Sequence, residues 1–136
     1  MLVSHWKEIA RYQDIPLAVD HDAYAALDRA GKFHVYTARL DGKLIAYAAF
    51  IIGPNAHYCT SGPQAKQDVL YLTPEHRGGR IGLTFIRSCD AALADAGVQV
   101  VYQHEKVSHP ALGRVLEHEG YENVERLWAK RLDGKG

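Results

Sequence analysis

The run Thr73-Pro74-Glu75-His76-Arg77-Gly78-Gly79-Arg80-Ile81-Gly82 carries the most specific chemistry in the chain. It joins a short apolar strand to a long amphipathic segment, and a helix opening there leaves four backbone N–H groups without internal partners. Glycine at 78, 79 and 82 lets a ligand approach the main chain closely, while the helix dipole and Arg77 or Arg80 favour negative charge. One such interaction at an exposed helix end is worth only about 0.3–1 kcal/mol, so affinity needs several donors acting on one group, such as a pyrophosphate. The plain alternative is a solvent-facing turn whose arginines serve solubility. The GxGxxG spacing of a dinucleotide site and the GKS or GKT ending of a phosphate-transferring loop are both absent.

Groups able to move protons lie on either side of this run. Asp68, beside the strand, and Glu8, in the first helix, can accept a proton directly or through water; Tyr58, His57, Tyr71 and His109 can orient a substrate or relay protons. Each has an ordinary reading beside the chemical one: loop packing for His57-Tyr58, a solvating strand-edge carboxylate for Asp68, a polar helix position for Glu8. Trp6 and Trp128 can line an acceptor pocket, with packing the stronger reading, as it is for Tyr47 and Tyr121. The eight histidines form no HExxH and no matching Cys/His set, so no metal is expected.

Composition narrows the context. A chain of 136 residues is expected to form one domain, residues 1–136, with a single core. Sixteen basic and sixteen acidic residues cancel, so no global field draws the protein to nucleic acid or an anionic membrane, and any anion must meet a local patch. Cys59 and Cys89 are too few for a disulfide scaffold or a four-ligand zinc site, which fits a reducing cytoplasm, and Cys89 reads as a core thiol. The first residues lack a basic segment followed by an apolar run, and no stretch reaches the roughly 18 to 20 apolar residues of a membrane span. A cytoplasmic, non-membrane protein is the expectation.

These residues need a scaffold, and the pattern supplies one. A short amphipathic helix is predicted over His5–Tyr12 with Ser4 as cap, then a second through Arg29 capped by Asp20 and stopped by Gly31. Residues 33–40 and 43–52 read as a hairpin reversed by Asp41-Gly42, the second arm apolar enough to be central. Residues 68–72 form a short strand ended by Pro74; 79–96 form the long helix; 98–103 return as a strand, and that crossover favours parallel pairing. Ser108 can cap a last helix ended by Gly120-Tyr121, and residues 121–132 are expected to hold one or two short strands. The fold class is thus α/β (α+β), a mixed and mostly antiparallel sheet with flanking helices.

The element order and the run from Leu70 to Gly82 resemble the acyl-CoA signature of the GNAT superfamily of N-acetyltransferases, and Gly120-Tyr121 resembles that family's Gly-Phe at the end of the final helix. His5 to Ala10, His57-Tyr58 and Trp128-Ala129-Lys130 are similar to small acetyltransferase-like proteins of bacteriophages and prophages. The resemblance implies acetyl-CoA as cofactor, with Leu70, Tyr71 and Leu72 binding the pantetheine arm through main chain, and Arg77, Gly78, Gly79, Arg80, Ile81 and Gly82 binding the pyrophosphate. It implies splayed parallel strands, direct transfer of an acetyl group to an amine of a small molecule or protein, and no metal. It also suggests a homodimer. Asp68, Glu8, His109 and Tyr58 become catalytic candidates, and Trp6, His57 and Tyr58 substrate-binding ones. Two positions depart from the pattern: Arg80 stands where the family has glycine, and Leu116 where it often has the tyrosine beside the leaving sulfur. The second departure keeps open a protein that binds acyl-CoA without transferring it.

Overall fold

The computed structural model describes residues 1–53 and 62–135. Helices α1 (Leu2–Ile9) and α2 (His21–Arg29) precede strands β1 (Phe33–Leu40), β2 (Lys43–Gly53) and β3 (Gln64–Leu72); next come α3 (Arg80–Asp95), β4 (Val100–Tyr102) and α4 (Ala111–His118). The sheet order is β1-β2-β3-β4, antiparallel through β3 and parallel between β3 and β4. This is the mixed, mostly antiparallel sheet with flanking helices that the sequence predicts.

Local chemistry explains the elements. Asp41 and Gly42 both take positive φ (50° and 77°), so the reversal between Leu40 and Lys43 is the two-residue turn whose twist matches its strands. The Asp20 carboxylate accepts the Ala23 amide at 2.9 Å and caps α2. Ala46, Ala48 and Phe50 of β2, with Ala65 of β3, bury one sheet face against Phe85, Cys89 and Leu93 of α3. The alternate face of β2 and β3 carries Tyr47 and Tyr71, and α1 lies over it through the buried His5. Alternation along β2 therefore fixes which helix meets which face.

Several elements differ from the sequence reading, among them β4, which spans only Val100–Tyr102 of the expected 98–103. Helix α1 begins at Leu2, three residues before the expected His5, and Ser4 lies inside it. Strand β3 starts at Gln64, because pairing with Ile52 and Gly53 extends the ladder past residues of weak strand preference. Ser108 does not cap α4: its hydroxyl bonds the His109 ring at 2.9 Å, and the Glu105 carboxylate accepts the Gly113 amide at 2.6 Å instead. Residues 121–132 contain no strand. Val124, Leu127, Trp128 and Leu132 are exposed there, so no packed surface holds a ladder, and Trp128, 86% exposed, is not a core aromatic. Among the described residues no helix is long and apolar enough to cross a membrane.

Candidate active site

Strands β3 and β4 pair over only three positions, Gln64 with Val100, Ala65 with Val101 and Lys66 with Tyr102. Past them β3 continues to Leu72 while β4 has ended. At the point of divergence the Gln67 side-chain oxygen accepts the His104 amide at 3.1 Å. The result is a wedge with one wall made of the edge of β3, its main chain free of a strand partner on that side. The next residue, Asp68, is the extra residue of a β-bulge: Ala49 opposes Val69 and Phe50 opposes Gln67, leaving Asp68 outside the ladder. Such a bulge breaks the side-chain alternation and re-aims the strand residues beyond it.

The open end of the wedge leads to the glycine-rich turn. A 3₁₀ turn at Pro74–His76 delivers the chain to Gly78, which takes φ +84°, and to Gly79, the N-cap of α3. No side chain caps that helix end. The space where a Cβ would stand on Gly78 or Gly79 is open, and at Gly82 it meets only Leu72 Cδ2 at 3.8 Å. The first amides of a sixteen-residue helix are thus presented without a competing acceptor. Arg80 and Ile81 also line a groove between α3 and β1.

Arg77 does not point freely at this turn. Its guanidinium grips both carboxylate oxygens of Glu8 on α1, donates from Nε to the Leu72 carbonyl at 2.7 Å, and lies 5.3 Å from the centre of the Tyr71 ring. Two sequence candidates, 69 residues apart, are one ion pair. The neighbouring guanidinium holds the Glu8 carboxyl below the usual carboxylate range. Beyond it His5 is buried, shares a 2.7 Å hydrogen bond with the Tyr47 hydroxyl and stacks 4.8 Å from Tyr71. Burial lowers the His5 pKa and pushes Tyr47 up to about 12, so both stay neutral near neutral pH.

The remaining candidates divide by position. The Asp68 carboxylate accepts the Tyr24 hydroxyl of α2 at 2.6 Å, which, with burial, raises that phenol to about 12 and makes it a fixed donor. His109 lies close enough to act electrostatically on Glu8. Trp6 is half-buried on α1. Tyr71 is buried, and Leu70 and Leu72 pack toward the core, so β3 can offer the wedge only main chain at these positions. His57 and Tyr58 lie outside the described residues. Leu116 is buried on α4. Behind the wedge, Tyr121 donates to Asp90 of α3 at 2.6 Å and accepts from Gln103 at 3.3 Å, while the Gln103 side-chain oxygen is buried without a partner.

Sequence reasoning did not single out Tyr24, His5 or His104 for the site, and it read Tyr47 chiefly as packing. Tyr24 sat in an apolar helical stripe and Tyr47 in a buried strand, where an aromatic reads as packing. Among the described residues no group of three or more His, Cys, Asp or Glu can hold a metal ion.

A family model described as "Acetyltransferase (GNAT) family" matches residues 2–121. No curated protein matches. Solved structures share the fold. A ribosomal-protein-alanine N-acetyltransferase from Brucella melitensis biovar Abortus 2308 superposes with a TM-score of 0.65 at 18% identity, covering 96% of this chain and 88% of that one. The enzyme AAC(6')-Iy, complexed with a CoA-containing bisubstrate analogue, gives 0.66 at 22% identity, covering 95% and 90%. An aminoglycoside acetyltransferase from an uncultured soil metagenomic sample, in complex with sisomicin, gives 0.68 at 16% identity, covering 96% and 84%.

Proposed function

Because the chain belongs to the GNAT family of acetyltransferases, we propose that it transfers the acetyl group of acetyl-CoA directly to an amine, with the thioester at the fork of β3 and β4. The observation that carries this is the geometry of the wedge. Its fork lies at Gln67 and the uncapped start of α3 beyond its open end. From Gln67 to Leu72 the strand covers about 17 Å at the usual rise per residue, the reach of an extended pantetheine arm. The amides of Gly79 to Gly82 would hold the linked phosphates, and the main chain of Leu70 to Leu72 the arm. Acetyl-CoA, when bound, supplies the activated carbonyl.

The residues then take distinct roles. Arg77 and Glu8 brace the turn against α1 and shape the acceptor side, and the phosphates rely on main chain. Asp68, fixed by Tyr24, sets a negative charge at the reacting end, where an ammonium acceptor would be drawn. Trp6 and His109 border the acceptor approach from α1 and from the start of α4. Transfer by direct attack needs position and proton movement, without a protein nucleophile. The amine class is supported by the similar structures, a ribosomal-protein-alanine N-acetyltransferase and aminoglycoside acetyltransferases.

Native mass spectrometry with acetyl-CoA, followed by thiol release with an alanine-terminated peptide, sisomicin and spermidine, tests the reading. Binding at one site and CoA release dependent on one acceptor are expected. A folded protein that ignores acetyl-CoA at millimolar concentration overturns it. Leu116 favours a second reading, an acyl-CoA-binding protein without turnover, which predicts binding and no release with any amine. Exposed Val124, Leu127 and Trp128 support a homodimer closed over the C-terminal segment.

A further inference from the structure

The proton from the amine must go somewhere, and after transfer the leaving thiolate must receive one. Leu116 can do neither. At the fork itself stands His104. Its backbone amide is pinned to Gln67 of β3 at 3.1 Å, one residue from the bulged Asp68. This places it where the acetyl end of the cofactor arrives in the proposed binding mode, on which the inference rests. The residue is exposed overall but its ring is partly desolvated, and among the described residues that ring has no hydrogen-bond partner.

We infer that His104 is the proton carrier of the reaction, taking the amine proton and returning it to the departing sulfur. The amine nitrogen forms the N–C bond, the C–S bond breaks, and the proton passes from nitrogen to the imidazole and then to the thiolate. Amine and thioester become amide and thiol, with His104 restored. One side chain then serves both proton steps, and the tyrosine position is free to be leucine.

The charges around the ring suit this role. Desolvation, aided by the Lys106 cation two residues on, lowers the His104 pKa, so the ring is neutral and able to accept at neutral pH. The Asp68 charge acts in the opposite direction and steadies the imidazolium once formed. Tyr24 of α2 holds that carboxylate, and the Lys106 cation acts on His5 of α1 as well. Local sequence does not show what His104 meets, because its neighbours on the fork come from residues 67 and 68.

The test is the pH profile of kcat/KM with acetyl-CoA and the same three acceptors, for the full chain and for His104→Gln, Asp68→Asn and Lys106→Met. His104→Gln should keep acetyl-CoA binding within about twofold and lower kcat/KM by about 10² to 10³-fold. It should also remove the acid limb that belongs to the ring. Asp68→Asn should move that limb to lower pH and Lys106→Met to higher pH, opposite shifts that a purely structural role would not produce. Turnover by His104→Gln near the native rate, or limbs that stay in place in both charge variants, overturns the inference while the wedge reading stands. A native protein that fails to bind acetyl-CoA overturns the wedge reading itself, and binding with no turnover for any amine overturns both transfer and the proton carrier.

Discussion

Replacing Arg77 by alanine removes three contacts at once: the fork on Glu8, the Nε donation to Leu72 and the cation over the Tyr71 ring. The side chains of the pair are 39% and 25% exposed, so the ion pair is screened and worth about 1 kcal/mol, the upper end for surface pairs. The stacked cation adds about 0.5 kcal/mol, and water replaces most of what the Leu72 carbonyl loses. Together the loss is about 2 kcal/mol, which for a domain of this size lowers the melting temperature by about 6 to 10 °C. Glu8→Gln, which keeps hydrogen-bonding atoms and loses the charge, should cost less than half as much. The pH dependence has a defined sign. The native Glu8 pKa is depressed, so the pair's contribution is present above the unfolded glutamate value of about 4.3 and fades as pH falls through the native one. Thermal melts of both single variants and the double variant at pH 7 and below pH 4 measure it, alongside the acetyl-CoA dissociation constant. The bracing role is refuted if Arg77→Ala melts within about 1 °C of the native protein at pH 7. It is also refuted if Arg77→Ala loses tenfold in acetyl-CoA affinity while Glu8→Gln changes nothing, which would make Arg77 a phosphate ligand.

The back of the wedge and the C-terminal segment give two more expected outcomes. Burial raises the pKa of Asp90 above the usual carboxylate range, with Tyr121 offsetting part of the effect and Glu119 adding to it. The native state therefore binds that proton more tightly, and its stabilising effect, full below the unfolded value, is lost as pH rises through the native one. Asp90→Asn should melt about 2 to 4 °C above the native protein at pH 7, with the difference closing in acid, as thermal melts across pH would report. Trp128→Glu with Leu127→Glu should convert a dimer to a monomer in sedimentation velocity at unchanged helix content; a native protein already monomeric at high micromolar concentration refutes the homodimer.

Much of the scaffold was legible because it is written locally. Asp41-Gly42 specifies its turn, Asp20 its cap, and the change of period after Gly79 its helix, each within a few residues. The apolar second arm of the hairpin reads correctly as central for the same reason. The site was less legible because it is made by chain separation. Glu8 and Arg77 read separately, as a base and an anion ligand, and only the fold shows that they are paired. Asp68 was noticed as a carboxylate beside the strand, but the bulge that displaces it depends on the register of β2. Residues 121–132 are long enough for a strand and form none, since a strand requires a neighbouring edge that length does not provide.

The hairpin arms and β3 can find one another as the chain emerges, through short connections, whereas β4 meets β3 only after all of α3 has crossed between them. Loop-closure entropy makes that last encounter slow, and only three rungs reward it. The antiparallel meander should accordingly mature first. A ligand seated at the fork, spanning both late partners, would then act as a clasp, raising the barrier to unravelling more than it hastens assembly.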